Sequence, residues 1–203
     1  MIRIIDYKAG NAPSVLHAVS HLGHKAAFAA SPADLHKASC IILPGVGTAD
    51  ATMDSLRELD LIPALEEAVH EKKVPFLGIC IGMQILFDCS EEGTGPSGGD
   101  VPCLGWLAGK VVKYDTNAVR VPQMGWNKVS FVKDTNIYDR EDYFYFVNSY
   151  HAKADPEDIW GEADYSGKFT AAVNRGNIYG TQFHVEKSGE AGLKLLDDFI
   201  RWA

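Results

Sequence analysis

Apolar residues fall in short blocks through the first half of the chain, and most blocks are followed by a stretch in which they recur every three or four positions. Short apolar blocks bounded by turn residues are the signature of buried strands, and the longer recurrence is that of amphipathic helices. "IRIID" (2–6) reads as a strand. "APSVLHAVSHLGHK" then reads as a helix, with Val15, Leu16, Val19 and Leu22 on one face and Gly23 as its C-cap. "AAFAA" (26–30) and "CIILPGVG" (40–47) are further strands, the second ending in a Pro/Gly turn. The segment 50–73 carries one or two helices, with Pro63 starting the second. "VPFLGI" is the next strand and "IGMQILFDC" the next helix.

From about residue 100 the pattern changes. "WLAGKVVKY", "NKVSFV", "DYFYFVNSYHAKA" and "FTAAVNRGNIYGTQFHVE" are strand-like runs with turn-rich spacers, and the aromatic cluster "YFYF" (143–146) reads as a buried strand. The loop 91–100, "EEGTGPSGGD", is a flexible surface loop by composition. The chain closes on an amphipathic helix, 189–202, with Leu193, Leu195, Leu196, Phe199 and Ile200. Strands alternating with helices predict a mostly parallel α/β sheet covered on both faces, with an antiparallel elaboration in the C-terminal half. No repeat or linker divides residues 1–203, so a single domain is expected.

Composition narrows the function classes. A net charge of -8 with no basic run argues against a nucleic-acid partner. No apolar run approaches a membrane span, and the first residues are too soon charged for a secretory signal, so no membrane association and a cytoplasmic location are expected. Cys40, Cys80, Cys89 and Cys103 show neither CxxC pairing nor zinc-like spacing, and at least three read as small buried hydrophobes. His17, His21 and His24 are spaced along the first helix, yet no nearby Cys, Asp or Glu completes a ligand set. They read as helix surface, and neither metal nor cofactor is expected.

Three short segments carry candidate chemistry. In "GICIG", Gly78 and Gly82 flank Cys80 in a G-x-C-x-G pattern, the thiol counterpart of a nucleophile elbow. A tight strand-to-helix turn needs minimal side chains beside the nucleophile. The helix N-terminus would favour a thiolate, and the Ile81 N–H would face a developing oxyanion. A buried cysteine between two packing glycines fits the same five residues. A nucleophilic thiol needs a base, and the base an orienting group. In "GTQFHVEKS", alternation on an extended segment puts His184 and Glu186 on one face, with Phe183 and Val185 turned into apolar packing. The third segment is "LPGVG" (43–47). If its strand neighbours that of Cys80, the backbone N–H groups of Val46 or Gly47 supply a second oxyanion donor at the carboxyl edge of the sheet.

Gly78, Cys80, Gly82 and Gln84 in a G-x-C-x-G-x-Q pattern, PGVG, and a late H-x-E together resemble the class I, triad-type glutamine amidotransferases, over nearly the whole chain. More narrowly, "DYKAGN", "PQMGWN" (122–127), "YFYFVNSYHA" and "QFHVEKS" are similar to the glutaminase subunits of imidazole glycerol phosphate synthases, the histidine-biosynthesis enzymes. The resemblance implies a three-layer α/β/α fold. It implies that Cys80 attacks the glutamine side-chain amide to form a thioester. His184 then protonates the departing ammonia and activates water, and Glu186 orients His184. It also implies that Gln84, Ser149 and Tyr150 help hold glutamine. Ammonia would pass to a (β/α)₈-barrel cyclase in a heterodimer, which makes imidazole glycerol phosphate and an aminoimidazole carboxamide ribotide. Asn11, Gln123, Met124, Trp126, Asn127 and Lys187 would meet that partner. A dry passage keeps ammonia neutral and therefore nucleophilic.

Three positions depart from the family pattern. Lys8 and Val185 stand where it usually has glycine and proline, and Asn148 where it often has histidine. Val185 leaves His184 and Glu186 in register, Lys8 bears on partner contact, and Asn148 on the substrate wall. The rival readings are the glutaminase of another triad amidotransferase, an inactive regulatory homologue, and a cysteine peptidase of the same fold. "PQMGWN" argues against the first, an intact Cys80, His184 and Glu186 against the second, and the partner-facing segments are unexplained by the third.

Overall fold

The computed structural model describes residues 1–8, 11–93, 95, 99–135 and 137–203. The middle of "DYKAGN" (9–10) and part of the loop 91–100 lie outside the described residues. The N-terminal half holds β1 (Ile2–Ile5), α1 (Ala12–His21), β2 (Ala26–Ala29), α2 (Pro32–Leu35), β3 (Cys40–Leu43), α3 (Ala49–Glu58), α4 (Leu61–Glu66), β4 (Phe76–Ile79) and α5 (Ile81–Gln84). It is followed by β5 (Cys89–Ser90), β6 (Val101–Pro102), β7 (Gly109–Lys113), β8 (Gln123–Phe131), β9 (Asp142–Asn148) and β10 (Tyr150–Ala154). The chain ends with β11 (Ile159–Asp164), β12 (Lys168–Arg175), β13 (Ile178–Thr181) and α6 (Gly189–Trp202).

Strands run in the order β2-β1-β3-β4-β13-β12-β10-β7-β5-β6, with β11 branching from β12 to β8 and β9. The run from β2 to β13 is parallel, and β12 turns the sheet antiparallel. Alternation sets the layers. In β3, Cys40 and Ile42 enter one core with Val15 and Val19 of α1 and Leu195, Leu196 and Phe199 of α6. Ile41 and Leu43 enter the other, with Met53 and Leu56 of α3 and Leu61 and Leu65 of α4. These strands are buried on both faces, which is why their sequences are unbroken apolar blocks. No helix among the described residues is long and apolar enough to cross a membrane.

Several local expectations are corrected. α4 begins at Leu61, after Asp60 at φ 54°, so Pro63 lies inside its first turn rather than at its start. α5 is a single turn, because the loop after β6 captures the carbonyls that would extend it. Leu104, Leu107 and Gly105 N–H donate to the carbonyls of Ile85, Leu86 and Phe87. "DYFYFVNSYHAKA" is two strands: β9 pairs with β8, and after Ser149 the chain crosses to pair β10 with β7 and β12. Within "YFYF" only Phe144 and Phe146 are buried, and Tyr143 is 56% exposed. Two of the four thiols, Cys89 and Cys103, are half-exposed rather than core. His24 lies past the end of α1 and hydrogen-bonds Asp197 of α6 at 2.6 Å, so the three-histidine helix face does not form.

The loops after β3 and β4 touch backbone to backbone. A Cβ on Gly82 would lie 2.1 Å from the Leu43 carbonyl oxygen, and one on Gly78 2.3 Å from the Gly82 carbonyl oxygen. Both obstacles are main chain and cannot swing aside. Gly82→Ala is therefore expected to destabilise the fold by about 3 kcal/mol or more in urea denaturation, at or above the upper end of ordinary overpacking. Gly99→Ala, with nothing within 4 Å of the added Cβ, should stay within about 0.5 kcal/mol of wild type. Equal stabilities for the two variants would contradict the close approach.

Candidate active site

Cys80 stands between β4 and α5 with φ 56° and ψ -109°. A non-glycine residue holds such a conformation only when its surroundings impose it. Here its N–H donates to the Thr181 carbonyl at 2.7 Å, and its own carbonyl accepts from Met83 and Gln84 N–H at 3.0 and 3.1 Å. The side chain is thereby turned out of the sheet edge into a cavity of ≈ 320 Å³. With α5 reduced to one turn, the turn's own backbone orients the thiol more than any helix end does.

His184 is not on a strand. It is extended (φ -85°, ψ 100°) and precedes a single 3₁₀ turn, Val185–Lys187. Its N–H donates to the Tyr145 carbonyl at 3.0 Å, and Ser188 Oγ donates to its carbonyl at 2.6 Å. Phe183 stacks on Phe144 beside it, and both Phe183 and Val185 are fully buried. The His184 Nδ1 meets Glu186 Oε1 at 2.8 Å, and the ring lines the same cavity as Cys80. Burial alone would lower the His184 pKa. The hydrogen bonds and charges of Cys80 and Glu186 outweigh it and raise the value. Burial would likewise raise the Glu186 pKa, but His184 and Asn11 together hold it low.

Val46, Gly47 and Ile81 line the cavity, as do Gln84, Val147, Asn148, Ser149 and Tyr150. A Cβ on Gly45 would be 2.6 Å from the Gly82 nitrogen, so the PGVG loop and the Cys80 turn are in direct contact. Besides His184, Glu92 and Lys187 are the charged residues lining the cavity among the described residues. Burial, with the Asp50 charge as the lesser cause, pushes the Glu92 carboxyl up to about 7.

Asn11 and Gln123, expected at a partner surface, are 7% and 3% exposed. Asn11 Nδ2 instead donates to Glu186 Oε1 at 2.7 Å, a positioning contact, and Gln123 Oε1 accepts from the Tyr114 hydroxyl at 3.2 Å. Asn127 is half-buried and donates to the Asp164 carbonyl. Met124 and Trp126 are 66% and 56% exposed, and Tyr143 joins them on the neighbouring strand. Lys187 is also exposed. Gln84 is buried, and its amide nitrogen is engaged by the Tyr150 carbonyl and Gln182. Asn148, where the family often has histidine, donates to the same Tyr150 carbonyl at 2.9 Å.

Sequence reasoning passed over Gln182 and Glu92. Gln182 carried a usable signal, because it shares the parity of His184 and Glu186 along the segment. Glu92 carried none, since its polar, glycine-rich loop reads as solvent-exposed.

Over residues 3–202 the chain matches the family model "Glutamine amidotransferase class-I". It is 42% identical over 205 residues to the imidazole glycerol phosphate synthase subunit HisH 1 of Campylobacter jejuni (strain RM1221), covering 99% of this chain and 100% of that one. It is 41% identical over 207 residues to the imidazole glycerol phosphate synthase subunit HisH of Leptospira interrogans, covering 98% of each. A crystal structure of a glutamine amidotransferase superposes with a TM-score of 0.77 at 16% identity, over 98% of this chain and 97% of that one. At that identity the likeness is one of fold.

The ion pair at Nδ1 has a direct readout. Replacing the carboxylate by an amide in Glu186→Gln removes the charge that favours imidazolium. The His184 titration midpoint, followed by NMR of the ring, should fall by about one pH unit or more. An unmoved midpoint would contradict the coupling.

Proposed function

The chain belongs to the class I glutamine amidotransferase family, and on that footing we propose that it hydrolyses glutamine to glutamate and ammonia for an imidazole glycerol phosphate synthase. The observation that carries this reading is the meeting of Cys80 and His184 on one cavity, with the imidazole hydrogen-bonded to the Glu186 carboxylate behind it.

Cys80 Sγ attacks the side-chain amide carbon of glutamine. The carbonyl oxygen becomes an oxyanion within reach of the Ile81 N–H and of an N–H from Val46 or Gly47. Collapse breaks the C–N bond. His184, which its neighbours keep protonated, delivers its proton to the leaving nitrogen, and ammonia departs from a γ-glutamyl thioester. Neutral His184 then takes a proton from water as the water attacks the thioester, collapse expels the Cys80 thiolate, and the product acid releases its proton to solvent as glutamate, restoring imidazolium and thiolate. Glu186 holds Nδ1 throughout, and Asn11 holds Glu186.

Glutamine carries an ammonium and a carboxylate at its far end. Glu92 is the acidic cavity residue available to the ammonium, while Ser149 and Tyr150 supply backbone along one wall. The cavity volume lies at the small end of ligand pockets, as an amino acid requires.

Met124, Trp126 and Tyr143 form an exposed apolar patch on adjacent strands, with Trp126 also beside Gly189 just beyond Lys187. Such a patch fits a docking face, and the occupant proposed is the (β/α)₈ cyclase barrel of a heterodimer that receives the ammonia. Residues 1–203 act as one glutaminase domain. The four free cysteines fit a reducing, cytoplasmic compartment.

One assay tests the reading: ammonia release from glutamine with the cyclase present, across pH 6–9, for three proteins. Cys80→Ala should be without measurable turnover, and retained turnover would overturn the nucleophile. In wild type, Glu92 is charged above about 7 and neutral below it. Only the charged form pairs with ammonium, so kcat/KM should fall as pH drops through 7. Glu92→Gln should lose roughly 10- to 100-fold in kcat/KM at pH 8, the worth of a charge-assisted hydrogen bond, and lose the limb near pH 7. An unchanged limb in that variant would contradict the role of Glu92.

A further inference from the structure

Beside the Cys80 turn two buried glutamine side chains stand in series, Gln84 bordering the cavity. Gln182 is 0% exposed and Gln84 2%. The Gln84 Nε2 donates to the Tyr150 main-chain carbonyl at 3.1 Å and to Gln182 Oε1 at 2.9 Å. Gln182 Nε2 donates to Cys80 Sγ at 3.7 Å. We propose that Gln182 is a catalytic residue, the hydrogen-bond donor to the attacking sulfur, and that Gln84 is the positioning residue that fixes its direction.

The direction of the series is forced. A side-chain amide can ordinarily be flipped, exchanging donor for acceptor. The Tyr150 carbonyl, however, can only accept, so Gln84 must present its nitrogen there. The same nitrogen then meets Gln182, which must answer with its oxygen. The Gln182 nitrogen is left facing Cys80. Asn148 Nδ2 donates to the same Tyr150 carbonyl, which further anchors the acceptor end. The Gln84 oxygen is buried without a hydrogen-bond partner among the described residues, a cost that the opposite flip would relieve only by setting two acceptors against each other.

The chemistry needs such a donor twice. It stabilises the anionic sulfur before attack, and again when the sulfur leaves as glutamate is released. A neutral amide does this without a second charge to compete with His184. A glutamate at 182 would set a negative charge beside the sulfur, and an aliphatic side chain would remove the amide donor and leave the Val147 carbonyl, an acceptor, beside it. Gln84 also lines the substrate cavity, so the positioning role adds to a place on the substrate wall and does not replace it. The assignment rests on the reading of Cys80 as the nucleophile.

The test is the rate of alkylation of Cys80 by iodoacetamide from pH 6 to 10, followed on the Cys80 peptide by mass spectrometry in the full chain. Wild type, Gln182→Met and Gln84→Met are compared, with ammonia release by Cys80→Ala measured in parallel. Gln182→Met should react about tenfold more slowly at pH 7 and converge with wild type near pH 10, as expected from the loss of a hydrogen bond to an ionised group. Gln84→Met should move the same way by less, since Gln182 then turns freely. This second variant decides the matter if Gln182→Met does not fold. Superimposable profiles, or a slowing equal at every pH, overturn the hydrogen bond. Turnover in Cys80→Ala overturns the nucleophile and the proposal with it, whereas superimposable profiles beside an inactive Cys80→Ala overturn the hydrogen bond alone.

Discussion

Main chain pressed against main chain is the contact on which the rest of this molecule turns. The loop after Leu43 and the turn through Cys80 approach so closely that Gly45, Gly78 and Gly82 have no room for a Cβ. Because β3 and β4 are parallel neighbours, both loops leave the same edge of the sheet. Their contact forces Cys80 to a positive φ and turns its side chain outward into the cavity. Strain at one non-glycine residue persists because the hydrogen bond its N–H donates to the Thr181 carbonyl, and those its carbonyl accepts from Met83 and Gln84, over-determine it. β13, which supplies the Thr181 carbonyl, runs directly into the Gln182–Glu186 segment. One strand pairing therefore fixes both the turn that carries the thiol and the segment that carries the imidazole.

Charge is balanced across that junction. Glu186 and His184 have side chains that are 0% and 3% exposed, where an unpaired charge would be costly. Each is stabilised by the other, with Asn11 reaching in from the start of α1. In the proposed mechanism the imidazole must hold a proton for the leaving ammonia and then take one from water. A carboxylate at Nδ1, with the ring on the cavity that also holds Cys80, suits both steps. Lys8 is exposed and has φ 69°, and Asn11 lies three residues further on.

Elements whose residues answer to one simple environment were legible. β1, β3 and β4 are buried on both faces and read as apolar blocks, and α1 and α6 have one dry face each. The short α2 was missed because its stability lies in the Ser31–Asp34 capping box rather than in periodicity. β11 was missed because Gly161, Glu162 and Asp164 broke the alternation around the fully buried Trp160. The candidate triad was legible from spacing, since a tight turn and a local H-x-E pair are both short-range. Asn11, Gln123 and Glu92 were misread or passed over because their burial depends on partners far away in sequence, Asn11 lying 175 positions from Glu186. Val185 is fully buried beside Phe183, so the departure from proline there is absorbed by packing.

The central claim is that this junction presents Cys80 as the atom to which glutamine is joined. The most direct measurement is peptide mass spectrometry of the protein, mixed with glutamine and its cyclase and quenched in acid during turnover. A γ-glutamyl adduct on the Cys80 peptide, absent after Cys80→Ala, is the result this account predicts. Ammonia released with the adduct on another residue, or with no adduct at any quench time, would contradict it.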